Sequence, residues 1–92
     1  MKNNRLTAEY IKNVARMMRI FNLGAVSALV AVNGNLKTFE LIRLGEPGSK
    51  QPKWNMAIRE PFGSESYDKM FDCFKEMIEE FKTTEFYMAE II

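Results

Sequence analysis

Histidine is missing from this chain of 92 residues, and cysteine occurs once, as Cys73. Histidine is the commonest general acid or base near neutral pH and the commonest metal ligand. Without it no Ser-His or Cys-His nucleophile pair exists, and with a single cysteine no Cys/His zinc set can be assembled within one chain. The lone cysteine also excludes an intramolecular disulfide. Long apolar runs are absent as well. No stretch approaches the ~20 residues of a membrane-spanning helix, and Met1-Lys2-Asn3-Asn4-Arg5 leads into nothing like a signal peptide. The expectation is a soluble, cytoplasmic chain with no membrane partner, no cofactor and no metal. Catalysis is not expected either, because carboxylate or lysine chemistry needs a paired or desolvated group and no spacing points to one.

What is present is 47% apolar residues with only three prolines, the composition of a folded chain. A single domain over residues 1–92 is expected. The charges are sorted along the chain. Residues 1–59 carry ten Lys/Arg against Glu9, Glu40 and Glu46, whereas residues 60–92 carry three Lys against nine Asp/Glu, so a +7 part and a −6 part hide inside a net charge of +1. Such polarity serves either an external contact or the mutual neutralisation of two elements.

The spacing predicts a first helix starting at Thr7, with Ile11, Val14, Ala15, Met18 and Phe21 as its apolar stripe and Asn22-Leu23-Gly24 as its stop. Residues 25–32 suit a strand, Asn33-Gly34-Asn35 a hairpin turn, and Leu36–Leu44 the returning strand. A two-residue and a three-residue turn place opposite faces of that strand against Val26, Val30 and Val32, because a one-residue slip inverts every side chain. A basic, turn-rich connection follows over residues 45–53. Trp54–Glu60 alternates as a half-buried third strand. From Ser64 onward Tyr67, Met70, Phe71, Phe74, Met77, Ile78 and Phe81 keep helical spacing and predict a long second helix. Thr83-Thr84 should break it before a short terminal helix over residues 85–92, for which a fourth strand is the alternative. The predicted fold is therefore α+β: an N-terminal helix, a three-stranded antiparallel sheet, a long second helix and a short C-terminal helix.

The order helix, three strands, helix resembles that of double-stranded-RNA-binding domains. Those domains place a lysine-rich motif at the start of their second helix, where this chain reads Ser64-Glu65-Ser66-Tyr67-Asp68-Lys69. Carboxylates there would repel phosphate, so the family is not assigned.

Three surfaces stand out. The first is basic, with Lys12, Arg16, Arg19, Lys37, Arg43, Lys50, Lys53 and Arg59 beside the aromatic Trp54. The second is the acidic face expected on the second helix, Asp68, Asp72, Glu76, Glu79 and Glu80, whose like charges at four-residue spacing disfavour a helix unless a basic partner lies opposite. The third is the apolar terminus with Phe86, Tyr87 and Ile91, which needs cover from its own core or from another subunit. Cys73 reads as a core residue, and Glu40 as exposed. The leading expectation is a small non-catalytic protein-interaction module, a regulator, inhibitor or assembly factor of the kind common among phage and mobile-element products. It would use Trp54 as an anchor with Lys50, Lys53 and Arg59 around it, or Asp68, Asp72 and Glu76, and would self-associate through residues 84–92. The alternative is a nucleic-acid-binding module using the basic surface of residues 1–59.

Overall fold

The computed structural model describes residues 4–46 and 49–92; Pro47 and Gly48 of the expected turn, and the first three residues, lie outside them. Helix α1 (Ala8–Ile20) opens where the side-chain pattern places it. The Thr7 hydroxyl oxygen accepts from the Tyr10 amide at 3.0 Å, and Glu9 sits in the first turn. Its end differs in one detail. Asn22, not Gly24, takes the left-handed conformation (φ 54°), and the amides of Asn22 and Leu23 donate back to the carbonyls of Arg19 and Met18. This is a Schellman closure in which Asn does what Gly more often does.

Strands β1 (Ala25–Val32) and β2 (Asn35–Leu44) join through the two-residue turn Asn33-Gly34. Both turn residues have positive φ, 51° and 81°, the geometry whose twist matches a β-hairpin. The turn resolves the register: Val26 faces Leu41, Ala28 faces Phe39 and Val30 faces Lys37. Phe39 and Leu41 are thereby buried, while Leu36, Thr38, Glu40, Ile42 and Leu44 take the other side. Strand β3 (Lys53–Arg59) pairs with β2 and buries Trp54, Met56 and Ile58.

Beyond β3 the expected architecture is corrected. Residues 65–71 are not helix but a fourth strand, β4 (Glu65–Phe71), hydrogen-bonded to β3. The second helix, α2, is only the eight residues Phe74–Phe81. Tyr67 and Phe71 are four apart and so share a face in either geometry. The open edge of β3 decides between them, since an unpaired ladder there would leave a row of amide and carbonyl groups without partners. The strand also relieves the charge conflict, because Asp68 goes to one face of the sheet while Asp72 ends the strand. The terminal segment is likewise corrected. Thr83 and Thr84 stop α2 by donating their hydroxyls to the Glu80 and Phe81 carbonyls, each at 2.7 Å. The chain then turns into β5 (Glu90–Ile91), paired with β1, instead of forming a helix.

The result is a five-stranded antiparallel sheet, ordered β4-β3-β2-β1-β5, with α1 and α2 on one face. A single apolar cluster runs between the layers, from Leu6, Ile11 and Met18 through Val30, Phe39, Leu41 and Met56 to Met77, Phe81 and Phe86. Phe39, Phe81 and Phe86 meet with ring centroids 6.0–6.4 Å apart. The end of the chain thus packs in its own core: Phe86 and Ala89 are buried, and residues 88–91 hydrogen-bond with residues 4–6 through Leu6 N–H to Ala89 O, Met88 N–H to Leu6 O and Ile91 N–H to Asn4 O.

The turn geometry is testable with two glycines. A Cβ on Gly34 or Gly24 would meet nothing within 4 Å, but only Gly34 has positive φ. Gly34→Ala is expected to cost about 1–2 kcal/mol through backbone strain alone, and Gly24→Ala to be neutral or slightly stabilising. Urea denaturation of both variants measures the difference.

Candidate functional site

The basic side chains of residues 1–59 separate into two groups. Those carried by the sheet, Arg43 excepted, are paired with acids. Lys37 meets Glu60 at 3.2 Å, Lys53 meets Asp72 at 3.6 Å, and Arg59 lies between Glu40 at 3.2 Å and Glu65 at 3.5 Å. The internal reading of the charge polarity holds for these, and Glu40 is a half-buried partner of Arg59. A hydrogen bond from Ser66, and then Lys37, holds the Glu60 carboxyl below its ordinary range.

The second group has no carboxylate within salt-bridge distance among the described residues. Lys12, Arg16 and Arg19 follow one another at i, i+4 and i+7 on α1 and therefore form one row along it, all exposed. Arg43 closes β2 on the helix side of the sheet, where its guanidinium donates to the Ser49 carbonyl at 3.3 Å and ties down the segment after the turn. Arg16, Arg19, Arg43 and Lys50 line one groove of about 800 Å³, at the end of the molecule where β2 stops and β3 starts. Ala15, Pro52, Trp54 and Phe74 form its apolar part. Its one carboxylate, Asp72, is the partner of Lys53. Arg16 and Arg19 form no ion pair with Asp72 or Glu76: Asp72 lines the same groove, and Glu76 is exposed on α2.

Trp54 is not an exposed anchor. It is 7% accessible and meets Phe74 edge-on, with ring centroids 5.1 Å apart. The acidic face expected on one helix is dispersed: Asp68 lies on the open side of the sheet, Asp72 at the β4–α2 junction, and Glu76 and Glu79 on the outside of α2. Glu80 turns toward β4, where it meets Lys69 at 3.5 Å and accepts from the Tyr67 hydroxyl at 3.4 Å. Cys73 is exposed at the start of α2 and not in the core. Of the terminal residues, Phe86 is buried, Ile91 is half-buried, and Tyr87 is partly exposed with its ring edge-on to Phe81.

The side of the sheet away from the helices is uncovered by any described residue. Leu29, Leu36, Leu44, Met70 and Ile92 are 39–66% exposed there, with Ala25, Ala31 and Ile42 between them. Its β3–β4 half is polar instead. Lys53, Arg59, Glu65 and Asp68 lie there, and Ala57, fully buried, sits between Glu40 and Asp68 of the flanking strands and between Asn55 and Arg59 of its own. A hydrogen bond between the two carboxyls holds Glu65 above its usual range and Asp68 below. Both are exposed on the flat of the sheet, outside the groove. Among the described residues no cluster of three or more His, Cys, Asp or Glu side chains could hold a metal, and no helix is long and apolar enough to cross a membrane.

Comparison of the chain with family models, with curated proteins and with solved structures found no match.

Two measurements check this description. Trp54→Ala should lower stability by about 3–5 kcal/mol, the cost of deleting a core ring, as read from its denaturation midpoint. Burial first, and then the Glu80 charge, push the Tyr67 phenol up to about 12 from 10. A raised phenol pKa stabilises the folded state below the unfolded value, so this contribution is complete below pH 10 and is lost as pH rises toward 12. Wild type should therefore lose more stability across that window than Tyr67→Phe, measured by urea denaturation at its two ends.

Proposed function

We propose that this chain is a small, non-catalytic protein-interaction module, a regulator or assembly factor, that self-associates through the open face of its sheet. The observation that carries the reading is the one-sided layering. Five strands present Leu29, Leu36, Leu44 and Ile92 to solvent while both helices occupy the other side. Antiparallel sheets do tolerate one wet face, but the wet face then alternates to polar side chains. Here the β3–β4 half does so, whereas in the β1–β2 half Ser27, Thr38 and Glu40 are interspersed among Ala25, Leu29, Ala31, Leu36, Ile42 and Leu44.

A second copy of the chain is the occupant this face fits. Strands ~4.8 Å apart and β2, ten residues long, set a face of several hundred Å², near the ~800 Å² per partner of a stable interface. A two-fold axis running beneath β1 and β2 lays one apolar half on the other, about 10 Å apart as in a sandwich. The Lys53, Arg59, Glu65 and Asp68 halves then form the rim, where residues of both signs can meet across the axis. Such a dimer leaves both helical layers outward.

The test is size-exclusion chromatography with light scattering. A mass twice the 10.7 kDa of one chain is expected, falling to 10.7 kDa for Leu29→Lys/Leu36→Lys. Both positions are exposed, so the variant should keep its circular dichroism spectrum. A wild-type monomer over the whole concentration range, or a dimer indifferent to these substitutions, counts against the proposal.

A further inference from the structure

The groove beside α1 is a second surface, on the opposite layer from the open sheet face and independent of it. Its cations, Arg43 of β2 among them, differ from the other basic side chains of the sheet. Lys37, Lys53, Arg59 and Lys69 each have a carboxylate within 4 Å, whereas Arg16, Arg19, Arg43 and Lys50 have none among the described residues. Gathering four such cations around one concavity whose single carboxylate, Asp72, is already paired with Lys53 raises their mutual repulsion, and an anionic ligand relieves it.

Three features narrow the ligand. The cations share the groove with the half-buried Pro52 and Phe74, so the ligand carries an apolar part as well as charge, which a free phosphate does not. The groove is concave, about 800 Å³. A duplex displays its phosphates on the outside of a stiff rod and suits a protruding or flat basic surface, while an unstacked strand can enter a cleft and lay its bases on apolar side chains. The charge also continues beyond the groove. Lys12 precedes Arg16 by one turn, so the row on α1 is seven residues, or about 10 Å, long. A ligand that meets the row and the facing wall together is a chain of phosphates and not a single one.

We infer that the groove binds a single strand of nucleic acid, its consecutive phosphates on Lys12, Arg16, Arg19, Arg43 and Lys50 and a base against Phe74. The partner of α1 is thus a polyanion and not the acidic side chains of this chain's own second half.

The experiment is fluorescence anisotropy of the full chain with a 5′-labelled ten-residue oligothymidylate at several salt concentrations. Four to five phosphates neutralised on a single strand give a log–log salt slope of about −3, a loss of about 60-fold in affinity between 50 and 200 mM. Arg16→Gln/Arg19→Gln should bring the slope to about −1.6, whereas Lys75→Gln, which removes one charge from the outside of α2, should leave it unchanged. Circular dichroism confirms that each variant is folded. Binding that is absent at 50 mM salt, a slope indifferent to the double substitution, or an equal response to Lys75→Gln overturns the proposal. Displacement of the oligomer by an equal concentration of ATP or of duplex overturns the single-strand assignment.

Discussion

The turn at Asn33-Gly34 determines what each side of this molecule is. Two residues at positive φ close β1 onto β2 with Val32 opposite Asn35, and everything downstream inherits that parity. One more residue in the turn would turn Phe39 and Leu41 out to solvent and Leu36, Ile42 and Leu44 in. It would also carry Arg43 from the helix side to the open side and dismantle the groove. The two candidate surfaces are therefore set by one local backbone choice, made where glycine has no Cβ and asparagine tolerates the left-handed region.

Charge follows the same division. On the sheet, Lys37, Lys53, Arg59 and Lys69 are compensated by acids on neighbouring strands, just beyond strand ends (Glu60, Asp72) or on α2. On α1, Lys12, Arg16 and Arg19 have no carboxylate within salt-bridge distance among the described residues. The +7 part of the chain is thus neutralised over most of its strands and left bare on α1, at Arg43 and at Lys50. These exposed pairs contribute little to stability individually. Their effect is to define where positive potential survives.

Much of the first two thirds of the fold was legible in side-chain periodicity. Thr7 as a cap, the stripe Ile11, Val14, Ala15 and Met18, and the alternation of Trp54, Met56 and Ile58 each have one local reading, and the structure keeps it, whereas the length of the turn, and with it the buried face of β2, was open from the sequence. The last third was not legible. Tyr67 and Phe71 satisfy both periods, and only the hydrogen-bonding demand of β3, a long-range fact, chooses between them. The crowding of Asp68, Asp72 and Glu76 at four-residue spacing was the local sign of strand, since a helix would have stacked them. At the terminus Met88, Ala89 and Glu90 favour helix intrinsically, but pairing with β1 and with residues 4–6 outweighs a propensity of a few tenths of a kcal/mol per residue. The candidate sites were less legible still. The groove draws on residues 15–19, 43, 49–54 and 72–74, four segments that no spacing rule connects. Trp54 looked like an anchor because it borders a basic loop, yet its own alternation places it inward.

The pairing of residues 4–6 with residues 88–91 runs antiparallel, with Asn4 beside Ile91 at the outer end and Leu6 beside Ala89 at the inner end. Tension applied between the two chain ends accordingly loads these hydrogen bonds one after another, and the seam peels like a zipper from outside inward. A ladder pulled along its length would share the load among all its bonds at once. In this geometry the first resistance is a single bond, each with a net worth of only about 1 kcal/mol. Mechanically, the corner where both ends leave the fold is its weak point, and the groove lies at the far end of the strands from it.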